Sequence, residues 1–582
     1  MSLTKENERN MISQTDRQTD RQTDRQTEHE LTGYPSIDKP WLKYYSEEAI
    51  NAELPECTMY DFVYKNNKDH LDDIAIEYMG NKITYKELFE KTDRTIKEFL
   101  SIGIRPGMFV CICSVILPEV IYSMYALSAI GAVANFIDPR TDKQQMKKMM
   151  ADTHAKYMIS LDLVSEKVKE AVSDTEIEKI ILISPADSLK RGKKLLYRIT
   201  NKNISTAGCL KWSELFEKSE KEAEPISTNG KNVCVMTYTS GTTGMPKGVM
   251  LTNNNVNAVA FQYKYGMEYK RQQRYLSMIP PFIIYGICVA VHLPISLGIT
   301  CVLIPKFEPE KLYSYLKKYR PNQVTCPPSN FEILLKENKK IDLSYLTVPA
   351  VGADFWTEKF EKKFNQYLKE HNSPANLIKG YGMTEVSSSS CTTFKGCDKL
   401  GSVGIPLLKM TIAIFEPGTE REVPYRTKGE ICFSGPNVMK GYYNNIEQTK
   451  EILREHKDGK LWIHSGDIGM MDEDGFLYVI DRIKRIIDTK DGRKILPSKV
   501  EKVIREMPGV SKCVVVSGNL DRGYVLRTFV VLEDENLKIS KIKRDLEEQL
   551  PKWMLPVLVE QISDLPLTPV GKVDYLALEK IE

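Results

Sequence analysis

At 582 residues the chain is too long for one ordinary domain, so at least two are expected. With 81 Lys and Arg against 78 Asp and Glu the net charge is only +3, which gives no reason to expect nucleic acid or a membrane surface as partner. The 42% hydrophobic fraction suffices for large cores, and the twelve cysteines show no CxxC or other metal-ligand spacing, so they read as reduced, mostly buried thiols of a cytoplasmic protein.

The amino terminus, MSLTKENERN, is charged and lacks the apolar core of a secretory signal. Residues 13–27 follow with a TDRQ repeat that contains no apolar side chain. In a helix Asp16, Asp20 and Asp24 would stack as like charges, so residues 1–33 read as a disordered tail. From Tyr34 the pattern is globular. Ile83–Tyr85 and a helical run to Leu100 open an α/β unit. Met108–Ser114 reads as a strand, Glu119–Ile130 as an apolar helix ending at Gly131, and Ala132–Ile137 as the next strand. This alternation implies parallel sheet covered by helices.

Val233–Thr237 (VCVMT) reads as a buried strand, and Val249–Thr252 as a second short one, with Asn253 as cap of a helix starting near Asn255. Between them lies YTSGTTGMPKGV. Thr239, Ser240, Thr242 and Thr243 offer hydroxyl donors, Gly241 and Gly244 let the backbone approach a ligand, and Lys247 supplies a cation. Such a loop suits a polyphosphate. It is not the common P-loop, because Lys247 follows a proline and Gly248 follows the lysine. A flexible Ser/Thr/Gly turn is the plain alternative.

Tyr275–Pro305 carries no Asp, Glu, Lys or Arg and is long enough to span a bilayer. Pro280, Pro281, Pro294 and Pro305 divide it, so a buried helix near Ile287–Leu293 and a strand at Thr300–Ile304 fit better, with no transmembrane segment. Gly380–Glu385 reads GYGMTE. Tyr381 can stack on a purine between Gly380 and Gly382, Thr384 can donate to a phosphate, and Glu385 can hold Mg²⁺. A loop opening a helix, with an ordinary acidic residue, is the rival here. From about 410 to 480 the strands are short and turn-rich, as in a small barrel. There LWIHSGD ends in Asp467, whose carboxylate, an acceptor only, suits the donor hydroxyls of a ribose; a strand-end turn aspartate is the alternative. Pro497–Met507 and Lys541–Leu550 read as helices, and Cys513–Val516 and Thr528–Leu532 as strands. They make a separate small domain.

These motifs, in this order between Tyr238 and Leu578, resemble those of the AMP-forming adenylating superfamily: acyl-CoA synthetases, peptide-synthetase adenylation domains and luciferases. The resemblance covers roughly residues 40–582 and is strongest to the acyl-CoA synthetases. It implies an α/β fold: a large N-terminal domain (34–481) of α/β subdomains plus a small β-barrel, and a small mobile α/β C-terminal domain (482–582). It implies that Arg482 contacts the nucleotide, that Lys484 is the hinge, and that Lys572, in LPLTPVGKVDYLAL, is catalytic with Thr384 and Glu385. Gly352 and Ala353 match a turn bordering both adenine and acyl pocket; Ile283 and Asp354 fall in the acyl pocket. The block Lys428–Asn445 matches a structural motif.

The implied reaction uses ATP and Mg²⁺ to make an acyl-adenylate from a small-molecule carboxylic acid, then passes the acyl group to the thiol of coenzyme A. Transfer to a carrier-protein pantetheine and a non-catalytic nucleotide-binding relative are the alternatives. Four departures from the family pattern stand out, one being that the segment after the hinge, IIDTKDGRKILPSKVE, is one residue longer than usual. Ile283 replaces a frequent histidine, Asp488 a frequent lysine, and Lys499 a frequent glutamate. The last two bear on the thiol acceptor, not on adenylation.

Overall fold

The computed structural model describes residues 31–201, 204, 206–216, 228–239, 246–337, 339–352, 354, 356–488, 493–520, 523–534, 536–566 and 573–581. Two large sheets form the body. The first has eight strands, in the order 441–442, 247–252, 233–239, 133–137, 109–113, 157–161, 179–183 and 210–211. From Val233–Thr239 onward its neighbours are parallel. Strands such as Val133–Ile137 and Tyr157–Leu161 are buried at every residue, as expected for parallel strands covered on both faces. The second sheet has nine strands, parallel from Ile378–Tyr381 through Ile74–Tyr78.

The helices are set by local chemistry. Tyr85–Ser101 starts with a reciprocal capping box between Thr84 and Glu87. Pro118–Ile130 carries proline in its first turn and ends at Gly131, whose φ of 82° is the left-handed conformation that glycine adopts without strain. Asn253–Gly266 is capped by Thr252, which exchanges bonds with Asn255. Asn253, expected as the cap, instead lies buried and accepts from Met59 N and Ser128 Oγ.

The charge-free stretch holds the buried helix and strand expected of it, preceded by the strand Arg274–Ser277. Ile284–Ile287 runs through a π-turn at Cys288–His292 into Leu293–Ser296, then Thr300–Leu303. The π-turn has a cause: Pro294 has no N–H for Ala290 O, which accepts from Cys301 Sγ instead. Among the described residues no helix is long and apolar enough to cross a membrane. All twelve cysteines are unpaired and eleven are buried.

The expected small barrel is a five-stranded antiparallel sheet whose two edges are not paired to each other among the described residues. The reason is the length of Leu461–Met471. One side takes Gly429–Ser434, and the other takes Leu453–Glu455 and Leu477–Arg482 in succession. Beyond it, Val510–Leu520, Gly523–Leu532 and Leu558–Gln561 form a three-stranded sheet. Helices Pro497–Glu506 and Ile539–Gln549 share a separate core with it around Val500, Ile504, Val515, Val530, Ile542 and Leu546. Of the expected tail, residues 1–30 lie outside the described residues; Thr32 and Gly33, read as its end, donate to Asp38.

Candidate active site

The expected phosphate loop joins two antiparallel strands, Val233–Thr239 and Lys247–Thr252, with Thr239 opposite Lys247 at its mouth. Ser240, Gly241, Thr242, Thr243 and Gly244 lie outside the described residues. The short strand Gly441–Tyr442 pairs with Met250 and Val249, which brings Tyr442 beside Lys247. The Lys247 ammonium stands 4.9 Å from the Tyr442 ring centre, and the Tyr442 hydroxyl donates to Glu385 Oε1 at 2.7 Å. Burial and the Glu385 charge push the Tyr442 hydroxyl well up. Tyr442 thus links Lys247 to Glu385 of the GYGMTE motif. Its block reads as structural in the sequence because nothing local shows that its hydroxyl reaches residue 385.

Gly380 and Tyr381 end a parallel strand, and Thr384–Val386 makes one 3₁₀ turn. Gly382 is required here: a Cβ would lie 2.0 Å from Ser388 O. Ser387 and Ser388 both have positive φ, 56° and 94°, so the loop holds the backbone strain common at ligand sites. The Tyr381 hydroxyl donates to Asp467 Oδ2 at 2.6 Å. Asp467 faces Arg482 across the antiparallel pair, with Arg482 Nε 3.0 Å from Oδ1. Three motifs far apart in sequence therefore meet.

A buried network holds the turn that carries Asp467. Glu430 Oε1 accepts from Gly466 N at 3.0 Å, and its other oxygen lies 2.9 Å from His464 Nδ1. His464 Nε2 faces His456 Nε2 at 3.0 Å, and Ser465 Oγ donates to Ile431 O while accepting from Asp467 N. Burial and the facing His464 both lower the His456 pKa. Among the described residues, Glu430, Cys432 and His464 are also the one group of three ligand-type side chains close together. The 2.9 Å carboxylate–imidazole contact is a hydrogen bond, and burial holds the Cys432 thiol well up, so the cluster reads as support for the turn. The sequence reading missed Glu430 and His464; the His immediately before Ser-Gly-Asp was the available signal.

Gly352 follows the strand Val348–Val351; Ala353 lies outside the described residues and Asp354 inside them. Ile283 is half-buried and precedes the helical turn Ile284–Ile287. Lys484 is exposed in the single turn Ile483–Arg485. On either side of it, Asp481 Oδ2 accepts from Ser498 N at the start of helix Pro497–Glu506, and Arg485 pairs with Asp481 and with Glu501. Lys572 lies outside the described residues; next to its segment, Asp574 N donates to Pro566 O at 2.8 Å. Tyr575 lies under the Arg485 guanidinium, and Asp354 is close enough for its charge to act on the Tyr575 hydroxyl.

The sequence profile of the AMP-binding enzyme matches residues 63–443, and that of the AMP-binding enzyme C-terminal domain matches 499–572. The chain belongs to the AMP-binding enzyme family. It is 30% identical over 564 residues to the long-chain-fatty-acid–CoA ligase of Bacillus subtilis, covering 92% of this chain and 96% of that one. It is 28% identical over 554 residues to the probable 4-coumarate–CoA ligase 1 of Dictyostelium discoideum, covering 91% and 96%. Among solved structures it resembles ATP-bound MatB from Rhodopseudomonas palustris, with TM-score 0.78 and 22% identity over 90% of this chain and 98% of that one. The family assignment and the α/β architecture expected from the motifs are borne out.

Proposed function

We propose that this enzyme of the AMP-binding family is an acid–CoA ligase acting on an apolar carboxylic acid. The observation that carries the reading is the Tyr381–Asp467–Arg482 contact beside the Glu385–Tyr442–Lys247 chain. It joins an aromatic ring, a carboxylate suited to a ribose, a second, buried carboxylate and a cation through the one motif Gly380–Glu385. A carboxylate has about four acceptor positions, so Asp467 keeps capacity for ribose hydroxyls beside Tyr381 and Arg482.

In this reading the acid's oxygen attacks the α-phosphorus of ATP, the bond to the leaving pyrophosphate breaks, and an acyl-adenylate remains. The CoA thiolate then attacks the acyl carbon and AMP leaves. Thr239, Lys247 and the donors of Ser240–Gly244 would hold the phosphates, with Thr384 donating to the same group. Gly352, Ala353, Gly380 and Gly382 would let backbone approach the nucleotide. Glu385, a buried carboxylate, fits a hard cation, and Mg²⁺ there would offset charge between the two anions. Lys572 would act on charge developing at the α-phosphate. The small domain, residues 482–582, would turn about Lys484 between the two steps.

Ile283 and Ile284 stand where an α-amino-acid enzyme would need an acidic partner for the ammonium group, and a buried unpaired ammonium costs several kcal/mol. This favours an aliphatic or aryl acid. Twelve unpaired thiols favour the cytoplasm. The test is ATP–pyrophosphate exchange with a panel of acids, followed by CoA-dependent AMP release. Exchange with apolar acids and AMP release by CoA are expected. Exchange driven by amino acids and lost in Asp354→Ala overturns the substrate class. Release only with a carrier-protein pantetheine overturns CoA, and normal exchange in Lys572→Ala removes that lysine from the mechanism.

A further inference from the structure

Residues 188–213 carry seven lysines and arginines and no acidic residue, in a chain whose net charge is only +3. The near balance of the whole chain hides this local excess. At its centre is the ten-residue helix Arg191–Thr200, RGKKLLYRIT. Leu195 and Leu196 are each 62% exposed and Ile199 is 52% exposed. Single exposed aliphatics are ordinary, but three within five residues form a patch.

The helix has a defined inner side. The Tyr197 hydroxyl donates to Asp162 at 3.3 Å, so that side faces the body. At helical spacing, positions 195, 196 and 199 lie together and away from position 197. The apolar ridge therefore points outward by construction. Two further exposed hydrophobics adjoin these anchors: Leu163, next to Asp162, and Met79, whose carbonyl accepts from Lys193 Nζ at 2.7 Å. Lys190 and Arg191 are exposed at the start of the helix, and nothing stands where a Cβ on Gly192 would be.

A convex apolar ridge beside cations is the form of an interfacial helix, which buries its apolar side at the headgroup boundary and sets its cations against anionic lipid. A second copy of the chain is a poor occupant, because the same cations would oppose each other across the two-fold. A peptide that inserts into a groove is also a poor occupant, since Leu195, Leu196 and Ile199 form an outward ridge. We propose that the helix Arg191–Thr200 docks this enzyme on the surface of an anionic lipid bilayer, without spanning it. The proposal does not depend on which acid the enzyme uses.

The experiment is co-sedimentation of the full chain with vesicles of phosphatidylcholine mixed with phosphatidylserine, and of phosphatidylcholine alone. Each cation near an anionic surface is worth about 1 kcal/mol, so binding to the mixed vesicles should be stronger by about tenfold or more and should fall with salt. The double variant Leu195→Glu, Leu196→Glu should lose that binding while its melting temperature and solution activity stay near wild type, because both side chains are on the surface. The variant pair Lys190→Glu, Arg191→Glu should lose the preference for phosphatidylserine. Equal binding to both vesicles, no binding to either, or undiminished binding of the leucine variant overturns the proposal. So does a concentration-dependent dimer in the wild type that the leucine variant abolishes.

Discussion

Replacing Glu119 by Gln should make the protein more stable at neutral pH and leave it little changed in mild acid. Glu119 sits in the first turn of helix Pro118–Ile130, is 2% exposed, and lines a cavity with Lys91, Tyr122, Trp212 and Phe216. The Ser188 hydroxyl donates to one oxygen at 2.5 Å, and the other has no hydrogen-bond partner among the described residues. Burial pushes the carboxyl from 4.5 up to about 7, against the Ser188 bond and the Lys91 charge. The unfolded chain loses this proton near its ordinary value, while the folded chain keeps it until about pH 7. Stability is thus unaffected below the ordinary value, falls as pH rises between the two, and stays low above the folded value. At about 1.4 kcal/mol per pH unit the loss reaches at most about 3.5 kcal/mol. Gln keeps an acceptor for Ser188 and cannot ionise. Urea denaturation of both proteins from about pH 5 to about pH 8 should show the variant gaining on the wild type as pH rises. A difference that stays flat over that range refutes the reasoning.

Lys379→Met should destabilise by about 3–5 kcal/mol in urea denaturation, because it leaves Glu361, 2.5 Å from the lysine, and Asp398, 2.6 Å from it, without their buried cation; a loss under about 1 kcal/mol would show the triad to be dispensable. Tyr381→Phe removes the hydroxyl that donates to Asp467 and should raise KM for ATP about tenfold while leaving KM for the acid near wild type; an unchanged KM for ATP would separate this contact from nucleotide binding. Lys484→Pro should slow thioester formation far more than adenylation, since proline fixes the φ that a hinge must change; equal losses in both half-reactions would place the hinge elsewhere.

The chemistry was legible in the sequence because its parts are local. A run such as VCVMT, apolar at its first four positions and only five residues long, suits a strand covered on both faces, and it lies in Val233–Thr239. The prolines that divide Tyr275–Pro305 favour a buried helix and strand over a membrane helix from residue type alone. GYGMTE and HSGD each hold their donors, acceptors and glycines within a few residues, so the kind of ligand they suit could be read before any fold was known. What lay beyond the sequence are contacts set by sheet register and domain packing. Tyr381 reaches Asp467 across 86 residues, and Tyr442 reaches Glu385 across 57, only because separate strands end side by side. Among the described residues the small barrel is an unclosed sheet, because one long strand takes two partners on one side, a matter of pairing that alternating apolar residues do not specify. Leucines at helical spacing look the same whether a neighbour covers them or not. Leu195 and Leu196 are exposed because Tyr197 is the side chain the body anchors, and that choice belongs to the tertiary structure.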